Sequence, residues 1–132
     1  MYLSFRSLAI FAAVICFALA GTWLLAPSLL PDIWAVAYSY PVGLIGRRAG
    51  ALFLGVGVMF TLARTAQPSQ SRTALVVGLS ISCLTLAALG IFEFATGHAG
   101  VGIFSAVVVE VALAVLFLFS ERRADFHGQR QA

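Results

Sequence analysis

Apolar residues in this chain fall into four long runs separated by short polar breaks. Leu8–Ala26 is a stretch of 19 uncharged, mostly apolar residues after Arg6, and a membrane-spanning helix needs about 20. Val42–Ala63 is the second run. Ala74–Phe92 is the third, 19 uncharged residues closed by Glu93. Val101–Phe119 is the fourth, with Glu110 in its middle. Its 13 Val, Ile, Leu and Phe residues contribute roughly −4 to −8 kcal/mol to insertion, which exceeds the cost of about 3 kcal/mol for one central charge. The pattern predicts an all-α, integral-membrane four-helix bundle in a single domain. Its spans cover about 8–26, 42–63, 74–95 and 100–119, and a short polar tail follows at 120–132.

The breaks carry turn chemistry. Pro27–Pro41, PSLLPDIWAVAYSYP, connects the first two runs over 15 residues. Pro31-Asp32 can open a short helix lying in the interface, because Pro is tolerated in a first turn. Trp23, Trp34, Tyr38 and Tyr40 are residues that an aqueous–lipid interface attracts; an aromatic lid over a ligand is the rival reading. Arg64–Arg72 is a polar turn containing Pro68. Thr96–Gly100 is a tight return, in which Gly97 suits a left-handed helix end and His98 reads as a solvated loop histidine. Arg6 with Ala18-Leu19-Ala20 also fits a cleaved signal peptide, but the apolar run continues through Trp23-Leu24-Leu25.

Each run has a face of small residues at helical spacing. These are Ala9, Ala13, Cys16 and Ala20 in the first; Gly46, Gly50, Gly57 and Thr61 in the second; Ser80, Cys83, Ala87 and Gly90, with Glu93 beyond, in the third; and Gly102, Ala106, Glu110 and Ala114 in the fourth. Gly46-x-x-x-Gly50 is a formal GxxxG. Small residues let helix backbones approach where no hydrophobic effect operates between helices. The glycine face serves either an internal neighbour or a second subunit, and internal packing is the expectation.

Composition agrees with lipid as the solvent: 61% of residues are hydrophobic and 10% charged, against about 25% charged in soluble domains. The net charge of +3 comes from eight arginines and no lysine. Arg6, Arg64, Arg72, Arg122, Arg123 and Arg130 flank one side of a four-span arrangement, and Arg47 and Arg48 the other. That asymmetry predicts N-in, C-in orientation. The arginines are scattered around the apolar runs, which suits topology signals and not nucleic acid. Cys16 and Cys83 lie inside apolar runs with no CxxC and no adjacent His, so neither a disulfide scaffold nor a metal site is expected. No cofactor motif is visible.

The second run contains the one constellation with chemical potential. Its uninterrupted apolar part, Ala49–Ala63, has 15 residues, about 22 Å of helix. Crossing a core of about 30 Å therefore places Arg47 and Arg48 within or just beneath an interface. With Asp32, Glu93 and His98 they fall toward the outer face, and Glu110 lies roughly 15 Å below it. An unpaired buried charge is strongly disfavoured, so an arginine should meet a carboxylate or Glu110 should be neutral. One reading is a set of intramembrane ion pairs among Arg47, Arg48, Glu93 and Glu110 that fixes helix register. The other is a polar pocket formed by the same residues, binding a small ligand or relaying protons.

Several short motifs carry a resemblance. They are the LLAP ending of the first span (Leu24–Pro27) with the long loop after it, Arg47-x-x-Gly50 followed by Leu54-Gly55-x-Gly57, the Arg64…Arg72 turn, and Glu110 in the last span. Together they resemble the small, uncharacterised DoxX-like four-helix membrane proteins of bacteria over nearly the whole chain. The resemblance implies a multi-pass protein of the bacterial cytoplasmic (inner) membrane, and most such relatives have no assigned activity. DoxX itself is associated with a quinone-linked sulfur-oxidation complex, but no redox motif here supports carrying that over. The small multidrug exporters differ, since they hold their membrane glutamate in the first helix.

No nucleophile–base pair, metal cluster or phosphate loop is present, so an enzyme is not expected. The first functional expectation is a structural or accessory subunit acting through helix–helix contacts, with itself as a homo-oligomer or with another membrane protein. The second is a small-ligand or proton-coupled carrier using an intramembrane Glu/Arg pocket.

Overall fold

A computed structural model describes residues 4–128, with side chains through Arg122. Four helices are long and apolar enough to cross a membrane. They are α1 (Phe5–Leu25), α3 (Tyr40–Ala63), α4 (Gln70–Ala95) and α5 (Phe104–Gly128), with a short helix α2 (Leu29–Ile33) after the first. The chain is thus an all-α, multi-pass four-helix bundle.

Local chemistry sets the ends. Ser4 caps α1 by accepting the Ser7 N–H, and Ser69 caps α4 by accepting the Arg72 N–H. Each satisfies a backbone donor that the helix cannot. Pro41 sits in the first turn of α3, where its missing N–H costs nothing. α4 ends in a Schellman turn: Gly97 is left-handed at φ 78°, its N–H reaches Phe94 O, and His98 N–H reaches Glu93 O. α2 ends the same way, with Ala35 N–H to Asp32 O and Val36 N–H to Pro31 O. There the left-handed position is filled by Ala35, at φ 54°, where glycine is usual.

α1 is the central element. It packs along α3 and also meets α5, while α4 packs along α5. The small stripes point inward: Ala9, Ala13, Cys16 and Ala20 are buried, as are Ser80, Cys83, Ala87 and Gly90. The glycine face of α3 is filled by α1. A β-carbon at Gly46 would strike the Trp23 ring, at Gly57 it would lie 2.8 Å from Phe17, and at Gly50 it would lie 2.9 Å from Trp23 Cβ. Trp23 therefore covers a helix crossing instead of standing only in an interfacial belt, and Tyr38 likewise lies over Gly43.

The core is densest at the end of the bundle that carries the N-terminus, the α3–α4 turn and the far end of α5. There Phe5, Leu8, Phe60, Val76, Leu113 and Phe117 are buried together, and Phe117 stacks with Phe60 at 5.3 Å and Phe5 at 6.2 Å. At the opposite end the α2–α3 connection crosses the α4–α5 turn. Gly100 N–H donates to Trp34 O at 2.6 Å. A β-carbon at Gly102 would overlap Ile33 O, so Gly102 belongs to a 3₁₀ turn (Val101–Ile103) under a loop, not to the helix–helix face expected of it. Leu52 and Leu62 are 74% exposed and Leu25 87%, a surface that lipid and not water would solvate.

The polar tail expected at 120–132 lies partly outside the described residues. α5 continues helical through Gly128, and Glu121 is buried instead of opening a polar tail.

Candidate functional site

The inward stripe of α5 locates the site. Val107, Ala114, Phe117 and Glu121 are buried, and Glu110 stands on the same face, three residues after Val107 and four before Ala114. Its side chain is half-buried. Glu110 lies about 15 Å along the chain axis from Val101. It lines a cavity of about 360 Å³ together with Glu93 and His98, and with Trp34, Leu86, Leu89 and Ile103 among its apolar walls. Ala106, expected in helix packing, also lines this cavity.

The mouth is polar. His98 Nδ1 lies 3.0 Å from Glu93 Oε2 and 3.0 Å from Thr96 Oγ1. The Thr96 hydroxyl donates to Phe92 O at 2.9 Å, so its oxygen is free to accept. The consistent assignment is Nδ1–H on His98, donating to both oxygens. His98 is 71% and Glu93 45% exposed, so this pair sits at the surface while Glu110 sits below. Glu110 makes no hydrogen bond or ion pair among the described residues.

The arginines expected at this site are elsewhere. Arg47 and Arg48 are exposed on α3, line no part of this cavity, and pair with no carboxylate among the described residues. The reason is packing. Gly46 and Gly50 must face α1, and residues 47 and 48 then rotate away from α5. The cavity lining thus combines two carboxylates and an imidazole with no guanidinium.

A buried ion pair does exist, at the other end. Arg72 Nε and Nη2 each lie 3.0 Å from Glu121 Oε2. The Thr73 hydroxyl donates to Glu121 Oε1 at 2.7 Å, and the guanidinium lies 4.0 Å over the Phe5 ring. Arg72 and Glu121 side chains are 7% and 8% exposed. By sequence Arg72 is one of the flanking arginines and Glu121 falls in the polar tail at 120–132. The signal was present: the Ser80–Cys83–Ala87–Gly90 stripe, extended backward in helical steps, reaches Val76 and Arg72. Glu121 likewise lies eleven residues, about three turns, beyond Glu110.

Trp34 is the other residue whose role the sequence did not reveal. It stacks edge-on against Trp23 at 6.2 Å, lines the cavity, and has a buried indole N–H without a partner. Among the described residues no three His, Cys, Asp or Glu side chains are grouped to hold a metal.

Chemically, the site joins a half-open, mostly apolar cavity to one half-buried carboxylate and an exposed His–Glu pair. A chamber of this size is at the low end of small-molecule sites. The charge it would complement is positive. No protein-family model, curated protein or solved structure matches the chain.

Proposed function

We propose that the protein is a small membrane-embedded binding protein or carrier for an amphipathic organic cation. The observation that carries this reading is Glu110, on the bundle-facing stripe of α5, opening on a 360 Å³ cavity with no arginine or lysine among its lining residues. A carboxylate at that depth is retained against a cost of about 3 kcal/mol, and a cationic ligand with an apolar body would offset it. Glu93 and His98 at the mouth supply the first contact. By the arginine count the mouth faces outward and the Arg72–Glu121 end faces the cytoplasm. On the DoxX-like resemblance, we place the protein in the bacterial cytoplasmic membrane.

The accessory-subunit reading rested on the glycine faces. α1 covers that of α3 through Phe17 and Trp23, so a partner, or a second copy in a homo-oligomer, would have to use another surface.

The test uses tetraphenylphosphonium as the cation and the emission of Trp34, with Trp23, as the signal from the full chain in mild detergent. Glu110→Gln should weaken binding about tenfold or more, the loss expected for one charge-assisted contact. Glu93→Gln should weaken it less, because its exposed charge is already screened. Unchanged affinity in Glu110→Gln would remove the proposal.

A further inference from the structure

α3 and α4 are consecutive and joined by a short turn, Arg64–Ser69, yet they barely touch. Consecutive antiparallel helices on short connections ordinarily pack together. Here they leave a groove of about 420 Å³ between them. Leu52, Val56 and Met59 form one wall, Leu75 and Leu79 the other, and buried Phe60 lies beneath. A β-carbon at Gly78, also in the lining, would meet nothing within 4 Å. The groove is therefore open space and not a tight seam.

From the groove itself we infer that it is a binding site for one acyl chain of an anionic phospholipid, with the headgroup at Arg64. Three features fit this occupant. Ala49 to Phe60 spans about 16 Å of helix, which matches one leaflet of a core about 30 Å thick. The groove runs from mid-helix to the Arg64–Ser69 end of the bundle. Arg64 stands one turn beyond Phe60 on the same face; it is exposed, and its guanidinium has a backbone carbonyl, Thr61 O, as its hydrogen-bond partner. It is thus an exposed cation one turn beyond the last α3 residue that lines the groove. The α4 wall carries small residues, Ala74, Gly78 and Ser82, which leave the groove its width, and Leu52 and Met59 on α3, 74% and 48% exposed, are long side chains that can clasp a flexible chain.

The test reconstitutes the full chain in vesicles of equal phosphatidylglycerol and phosphatidylcholine and reads the motionally restricted fraction of acyl-chain spin labels. The restricted component should favour phosphatidylglycerol by about fivefold, the effect of one arginine at an anionic headgroup. Gly78→Phe should lower that component for both lipids, the remainder being lipid on the other exposed apolar faces. Gly55→Phe, also a site with nothing within 4 Å but outside the groove, should leave it intact. Arg64→Gln should abolish the preference and keep the chain. Thermal denaturation confirms that each variant is folded, and Gly78→Leu carries the same test if the larger side chain lowers the midpoint. A restricted component unchanged in the Gly78 variants, a preference surviving Arg64→Gln, or a Leu52→Cys cross-link between two copies would each overturn the assignment.

Discussion

Replacing Glu121 by alanine isolates the pair that ties α4 to α5 at the end of the bundle that carries the α3–α4 turn. The carboxylate accepts from Arg72 Nε at 3.0 Å, from Arg72 Nη2 at 3.0 Å and from the Thr73 hydroxyl at 2.7 Å. Without it the guanidinium keeps the Phe5 ring at 4.0 Å and a long contact to Ala66 O at 3.5 Å. Neither satisfies a charge that is 7% exposed. Breaking a buried pair from one side costs about 3–5 kcal/mol, most of it the penalty on the stranded partner. Glu121→Gln keeps a neutral acceptor for one donor and should cost about half as much, by the difference between charged and neutral hydrogen bonds. The double variant Arg72→Met/Glu121→Leu strands no charge, leaves only the Thr73 hydroxyl without its acceptor and keeps a sulfur–aromatic contact to Phe5, so it should lie near wild type. Reversible unfolding of the full chain in mixed micelles, followed by circular dichroism, gives the free energies. A loss under about 1 kcal/mol in Glu121→Ala, or a double variant equal to the sum of its singles, would refute the buried-pair account.

Three further outcomes follow from backbone geometry and the site. Gly50→Ala should destabilise by about 1–3 kcal/mol, because its β-carbon would lie 2.9 Å from Trp23 Cβ and 3.3 Å from Ala20 O; Gly55→Ala, with nothing within 4 Å, should gain up to about 1 kcal/mol from helix propensity, and equal effects at the two sites would contradict the α1–α3 crossing. Ala35→Gly should raise stability by about 1 kcal/mol, relieving the left-handed φ of 54°; a loss would mean that its methyl group against Gly100 outweighs the strain. Trp34→Phe should retain the fold and change cation affinity at the cavity, since it removes an unpartnered N–H and keeps the aromatic wall; unaltered tetraphenylphosphonium binding would take Trp34 out of the site.

Much of this molecule was legible before any coordinates. The four runs, the Gly97 turn and the inward faces at Ala9–Ala20 and Ser80–Gly90 follow from hydrophobic length and helical period, which are local properties. Glu110 could be placed on an inner face because Ala106 and Ala114 share it. The pairing of charges was not legible. Arg47 and Arg48 lay nearest in expected depth to the carboxylates, but depth fixes one coordinate only. Rotation about the α3 axis, set by Trp23 and Phe17 against the glycines, turns the arginines away.

The sequence by itself determined the number of helices, their apolar length, their turn chemistry and the residues each can present to a neighbour. Each depends on residues within a few turns of one another. Only the tertiary structure decided which helix faces which: α1 against α3, Arg72 joined to Glu121 across 49 residues, and α3 standing apart from its chain neighbour α4. Those choices belong to side-chain packing between distant segments, where a rotation of one helix by a single residue, about 100°, exchanges one set of partners for another.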